Sequence, residues 1–205
     1  MPIEKPQVAV TDAYSGAQPS ALAGLLEAAA DGGGASARPV EKWDPPYCGD
    51  IGMAIRRDGT WTYQDSPIGR IALVKLFASI LRKDADGRTY LVTPAEKVDV
   101  TVEDAPFLAV EMAVVGEGAA QSLTFRTNLD DVVTADAVHP LRFTQSGPDG
   151  GLKPYVLVRG RLEALVTRAV YADLAELAVV KEGEGSDALG VWSGGAWWKM
   201  ADAQS

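Results

Sequence analysis

From Ile51 onward the apolar residues recur at every second position, and that period governs what the chain can fold into. Ile51, Met53 and Ile55 alternate with Gly52, Ala54 and Arg56, Asp58-Gly59 supplies a tight turn, and Trp61 and Tyr63 face one way on the return. Successive side chains of a strand point to opposite faces, so this stretch is a hairpin with one face on a core. The segments Thr89 to Thr93, Val98 to Val102, Phe107 to Val115 and Ser122 to Thr127 also read as strands. Pro94, Asp104-Ala105-Pro106 and Gly116-Glu117-Gly118 separate them.

Helical spacing interrupts this pattern twice. Ser66-Pro67, read as an N-cap followed by a first-turn proline, predicts a helix over Ile68 to Leu81. Lys75, Ser79 and Arg82 form its one polar stripe, so the rest should be buried. In the second half Tyr155 to Val158, a turn at Arg159-Gly160 and the return Arg161 to Thr167 lead into a helix from about Ala169 to Val179. An acidic glycine-rich loop, Lys181 to Asp187, then precedes a tryptophan-rich hairpin, Leu189 to Met200. Hairpin, helix, polar loop and strand occur in that order twice, which predicts an α+β protein of two related β-rich halves, each with a hairpin and a packed helix. The expected divisions are a partly flexible appendage over 1–40, with a short helix from Ser20 to Ala30, an N-terminal half over 41–95 and a C-terminal half over 96–205.

A chain of 205 residues with 47% hydrophobic content can bury a sizeable core. Its apolar runs stop short of the roughly 18 residues a membrane span requires, so no membrane insertion is expected. No secretory signal is read at the start, and Cys48 is alone, read as a half-buried thiol in a tight turn. Together these predict a cytoplasmic protein. A net charge of −9 repels nucleic acid and anionic lipid.

Catalytic signatures are absent from the sequence. Gly183-Glu184-Gly185 and Gly116-Glu117-Gly118 lack the residues of a phosphate loop, and Ser193 lacks the glycine two positions before it that a nucleophile elbow needs. The single histidine, His139, has no partner spacing for a relay. Asp130, Asp131 and Asp136 read as a solvated acidic loop, so neither a metal nor another cofactor is expected. Between residues 121 and 170, by contrast, Arg126, Arg142, Lys153, Arg159, Arg161 and Arg168 stand against Asp130, Asp131, Asp136, Asp149 and Glu163, a near-neutral stretch in an acidic chain. Ser122, Thr124, Arg126 and Asn128 share one polar strand face opposite Leu123 and Phe125. Arg70 falls in the predicted first turn of a helix, where the dipole disfavours a cation, so it needs an anionic partner: a carboxylate of the chain or a ligand. The planar fork of arginine suits either phosphate or carboxylate. Trp192, Trp197 and Trp198 could stack on a planar ligand, although hairpin packing accounts for them as well.

Several short motifs carry a resemblance when taken together: Glu41-Lys42-Trp43-Asp44-Pro45, Cys48-Gly49-Asp50-Ile51, Arg57-Asp58-Gly59-Thr60-Trp61, Ser66-Pro67-Ile68-Gly69-Arg70, Phe125-Arg126-Thr127-Asn128, His139-Pro140-Leu141-Arg142, Val158-Arg159-Gly160 and Gly190-Val191-Trp192-Ser193-Gly194. Over residues 41 to 200 the chain resembles a proteobacterial family of unknown function, DUF1285. The resemblance implies a duplicated α+β core, a C-terminal half superficially like a pleckstrin-homology fold, and a cleft between the halves suited to a nucleotide-like ligand. By motif it carries over Arg70, Asn128, His139, Arg142, Tyr155, Arg159 and Ser193 as cleft residues. The leading expectation is therefore a regulatory or signalling module that binds an anionic small molecule, nucleotide-based in the limit, and performs no chemistry. The alternatives are a module that binds a protein partner through its pleckstrin-like half and, more remotely, a hydrolase using Asp130 or His139.

Overall fold

The computed structural model describes residues 38–146, 151–182 and 187–202. The predicted appendage helix, residues 20–30, and the glycine-rich turn at 183–185 lie outside them. Fifteen strands and two α-helices are formed among the described residues. The first sheet takes β1 (Tyr47–Ile55), β2 (Trp61–Tyr63), β3 (Ser66–Pro67), β4 (Leu81–Lys83), β5 (Thr89–Val92) and β6 (Lys97–Val102) in the order β3-β2-β1-β6-β5-β4. The second takes β7 (Phe107–Val115), β8 (Ser122–Thr127), β9 (Val132–Thr134), β10 (Leu141–Gln145), β11 (Leu152–Arg159) and β12 (Leu162–Val166) in the order β10-β11-β12-β7-β8-β9. A three-stranded sheet of β13 (Val179–Lys181), β14 (Ala188–Ser193) and β15 (Ala196–Asp202) follows.

Reversed, the second order is β9-β8-β7-β12-β11-β10, which is the plan of the first sheet. Each half is two three-stranded meanders joined through their outermost members in sequence, β1 parallel to β6 and β7 parallel to β12. The register sets Ile55 beside Val102 and Ala164 beside Phe107. The chain is thus an α+β protein of two similar β-rich halves, each with a curled sheet and a helix. The phase of the repeat differs from the sequence reading, which matched β1–β2 to β11–β12. Strand order matches β1 to β7, and β6, which that reading had placed beyond 41–95, pairs in the first sheet.

The helices explain the misreading. Helix α1 (Ile71–Ser79) buries Val74, Phe77 and Ala78, an i, i+3, i+4 face, and lies between β3 and β4. Helix α2 (Arg168–Glu176) buries Val170 and Leu174 but comes after β12. The predicted helix over Ile68 to Leu81 loses both ends. Ser66-Pro67 pairs with β2 as β3 instead of capping a helix, and Leu81 to Lys83 pairs with β5. Arg82, placed on a polar stripe by the sequence, is buried on β4, where its guanidinium holds Asp84 and the carbonyls of Val40 and Trp43. Ile71, expected inside, is 56% exposed.

The β2–β3 turn has two residues, Gln64 and Asp65, with φ of 47° and 62°. Both sit in the left-handed region that glycine and asparagine normally supply, at a cost of about 1–2 kcal/mol per residue. One cluster of buried apolar side chains runs through both halves, from Met53, Ile55 and Trp61 through Phe77 to Phe107, Phe125 and Leu162. Trp61 stacks on Phe77 with ring centroids 6.4 Å apart. Cys48 is exposed, not half-buried, with its thiol directed at the Pro46 carbonyl.

Candidate functional site

A hollow of about 460 Å³ opens between the two halves. One wall comes from Lys83, Arg88, Thr89 and Asp99 to Val102 of the first half. The other comes from Asp104 to Pro106, Arg161 and Glu163, and Tyr47 and Asp50 close one side. Drug- and cofactor-sized ligands occupy hollows of about 300–1,000 Å³, so this one admits a molecule of nucleotide size.

Most of its carboxylates are already committed. Asp104 accepts from Lys153 Nζ and from the Tyr155 hydroxyl, both at 2.7 Å. Burial alone would raise the Asp104 carboxyl, but those two hydrogen bonds outweigh it and hold the group below the ordinary aspartate value. The Tyr155 hydroxyl is pushed up to about 12 by burial and by its bond to Asp104, so at neutral pH the pair is an ionised acceptor and a neutral donor. Glu163 takes a two-pronged bond from Arg142, 2.9 Å from Nε and 2.8 Å from Nη2. Asp99 accepts from Arg88 and from the Tyr47 hydroxyl. Arg161 and Lys83, on opposite walls, have no hydrogen-bond or ion-pair partner among the described residues. The Tyr47 ring is 52% exposed at the rim, with the Arg88 guanidinium 5.8 Å from its centroid and the Tyr90 ring set edge-on to it.

The residues singled out from the sequence do not converge on this cleft. Arg142 and Tyr155 are cross-strand neighbours, with the guanidinium 4.4 Å from the ring centroid. They stand behind the wall and hold Glu163 and Asp104 in place. Arg159 ties the halves together elsewhere: Nη1 meets Asp131 and Nη2 the Ala78 carbonyl at the end of α1, both at 2.7 Å, with the guanidinium over Phe107. His139 Nδ1 lies 3.0 Å from the Leu157 carbonyl. Ser193 is fully buried, donating to the Ala135 carbonyl and accepting from the Leu123 amide, which docks the β14–β15 hairpin on the second sheet. Asn128 accepts from the Leu108 amide at 3.0 Å and approaches Gly59, where a Cβ would lie 2.9 Å from Nδ2. Gly59 is in a left-handed turn, at φ 83°, so glycine is required there twice over.

Arg70 is exposed, and of the two partners weighed for it, a carboxylate of the chain is not found among the described residues. With Asn128 it adjoins a second, smaller hollow of about 190 Å³. On β8 the polar face is as expected, but Arg126 is taken up by Glu111 and Asp130. Trp192 and Trp197 pack against each other with Lys181 over both rings. Nothing in the sequence marks Tyr47, Lys83 and Arg88, for no spacing relates a residue of β1 to one of β4 or β5 across a sheet. Among the described residues no group of three or more His, Cys, Asp or Glu is placed to hold a metal ion, and no helix is long and apolar enough to cross a membrane.

A family model described as "Domain of unknown function (DUF1285), N-terminal domain" matches residues 38–105, and one described as "Protein of unknown function (DUF1285), C-terminal domain" matches 106–200. The two matches meet in the link between β6 and β7. Among solved structures, a DUF1285 family protein from Silicibacter pomeroyi DSS-3 is 44% identical, with a TM-score of 0.79 over 87% of this chain and 95% of that one. Another, from Shewanella baltica OS155, is 27% identical, with a TM-score of 0.49 over 62% of this chain and 91% of that one. No curated protein matches.

Proposed function

The chain belongs to the DUF1285 family, and from that premise we propose that it is a binding module for an anionic small molecule of nucleotide size, held in the cleft between its halves. The observation that carries this reading is the pair of uncommitted cations, Arg161 and Lys83, on facing walls of a cleft whose Asp99, Asp104 and Glu163 are already paired. Two cations without internal partners favour a ligand that brings its own negative charge. Tyr47 offers a ring face for a base, and Asp50 on the same side is an acceptor for sugar hydroxyls. Asp104 is ionised and Tyr155 neutral across the physiological range, and neither is poised for proton transfer at neutral pH, which favours binding without chemistry and a regulatory or signalling role.

Isothermal titration with a panel of nucleoside mono- and diphosphates tests the proposal. The native protein should bind at least one of them. Arg161→Ala and Lys83→Ala should each weaken that binding about 10- to 100-fold, the span of one charge-assisted hydrogen bond. Absence of binding across the panel, or equal binding by Arg161→Ala, would overturn it.

A second reading, a protein-interaction module in the pleckstrin-like sense, is favoured by the edge strand β13. Val179, Val180 and Lys181 are all exposed there, and β14 pairs with only one side of the strand. An extended peptide could add to such an edge. A stoichiometric protein captured from lysate by the native chain and by Arg161→Ala, but lost with Val180→Pro, would replace the small-molecule reading with this one.

A further inference from the structure

The described chain starts beside the cleft, anchored next to both of its walls. At the short 3₁₀ turn Val40–Lys42 the carbonyls of Val40 and Trp43 each accept from the buried Arg82 guanidinium at 2.7 Å, and Lys83, the next residue of β4, lines one wall. On the other side the Glu41 carboxylate lies over Gly160, where a Cβ would come within 2.7 Å of Oε1, and the next residue, Arg161, lines the facing wall. Residues 1–37 therefore join the fold beside the two cations that have no partner among the described residues. That stretch complements them in charge, with Glu4, Asp12, Glu27 and Asp31 against the single Lys5. The carboxylates of the cleft are taken: Asp99 by Arg88 and Tyr47, Asp104 by Lys153 and Tyr155, Glu163 by Arg142, and Asp50 by the Gly52 amide. The nearest carboxylates ahead of the fold are Asp31 and Glu27. Asp31 stands seven residues before Arg38, a tether that reaches at most about 25 Å.

We propose that the acidic stretch ending at Asp31 occupies the cleft of its own chain, its Asp31 and Glu27 carboxylates paired with Arg161 and Lys83, as an autoinhibitory segment that a ligand must displace. A group tethered this closely is present at an effective concentration of about millimolar, so it holds the cleft against any ligand whose level does not exceed its own affinity by a wide margin. Displacement by a ligand rests on the small-molecule reading above, whereas the contact itself does not depend on it. Arg161 is exposed and Lys83 half-buried, which makes the pairing sensitive to salt, because screening shortens from about 10 Å at 0.1 M to about 3 Å at 1 M.

Cys48 supplies the probe, because it is the single cysteine, is exposed and adjoins Tyr47 at the cleft rim. A nitroxide attached to Cys48 of the ¹⁵N-labelled full chain should broaden the amides of residues 27–31 at low salt. Those signals should recover in 1 M salt, in the double variant Lys83→Ala/Arg161→Ala and in the double variant Glu27→Gln/Asp31→Asn. The Glu27→Gln/Asp31→Asn chain should also bind the nucleotide that the native chain binds about 3- to 10-fold more tightly, the gain expected when the segment fills the cleft about 70–90% of the time. If the native chain binds no nucleotide, the small-molecule reading fails and the broadening alone decides the contact. Amides of 27–31 that stay sharp, that broaden equally in both double variants, or that broaden from a nitroxide on unlabelled copies in a mixture, the mark of contact between two chains, would overturn the assignment.

Discussion

Replacing Ser193 with alanine removes one hydroxyl and strands two buried groups. The Oγ donates to the Ala135 carbonyl at 2.6 Å and accepts from the Leu123 amide at 2.9 Å, and all three residues are fully buried. The loss of one hydroxyl frees less than the ~30 Å³ that a water molecule occupies, so solvent does not readily restore the two bonds. An unsatisfied buried donor or acceptor costs about 1–3 kcal/mol, so with partial relaxation Ser193→Ala should lose about 2–4 kcal/mol of stability. In a chain of this length that corresponds to a melting temperature lower by about 5–15 °C. Urea denaturation should show a lower midpoint at unchanged slope. Amide exchange should accelerate at Leu123 and along β14 and β15 while Val98 and Val100 in the first sheet stay protected. Ser122→Ala, at a half-buried neighbour, serves as the control and should stay within about 0.5 kcal/mol of the native protein. A loss at Ser193 no larger than the control would refute the claim that this hydroxyl docks the terminal hairpin.

Exchanging Gln64-Asp65 for Asn-Gly relieves the left-handed strain of the β2–β3 turn and should raise stability by about 1–2 kcal/mol, since the exposed Asp65–Arg56 pair it removes is worth little. A lower thermal midpoint would contradict this. Arg159→Met deprives Asp131 and the Ala78 carbonyl of their partner and should cost about 2–4 kcal/mol in urea, with amide protection of α1 reduced along with that of β9. The folded-state values of Asp84 and Asp104 lie below the ordinary 3.8, so their contribution is complete above that value and is lost as pH falls through the folded values. Stability should therefore drop below about pH 4, and less steeply in Asp104→Asn. Tyr90 and Tyr155 are raised to about 12, so their contribution is present below pH 10 and lost as pH rises through 12, and a late phase of tyrosinate absorbance should shrink in Tyr90→Phe and in Tyr155→Phe.

Wherever local spacing and turn chemistry agreed, the fold was legible in the sequence. The Asp58-Gly59 hairpin formed as read, and Phe107–Val115 and Ser122–Thr127 took the predicted bounds, with Leu123 and Phe125 inside. Legibility failed where the backbone does something its residues do not announce. Gln64-Asp65 lacks the Asn-Gly signature of a two-residue hairpin, so Ser66-Pro67 took on the appearance of a helix start, and the phase of the duplication slipped with it. Val132 to Thr134 read as part of an acidic loop because three residues carry too little pattern, and only pairing with β8 makes them a strand. At the candidate sites the sequence marks the arginines but not their partners. Arg142 and Glu163 belong to β10 and β12, and Arg159 reaches α1 in the other half, long-range pairings that no local window contains. Arg70, singled out for its place near a helix start, kept its oddity in the folded chain.

The side-by-side placement of β1 with β6, and of β7 with β12, sets a timetable for biosynthesis. Ile55 has no permanent neighbour on that side until Val102 has left the ribosome. At ~5–20 residues per second the about 50 intervening residues hold the first sheet open for roughly 3–10 s, longer than the milliseconds to a second in which such non-local β topologies close once complete. Synthesis rate, not sheet closure, then limits when the first half matures, and a nascent chain arrested before Val102 emerges should be the species that chaperones recognise.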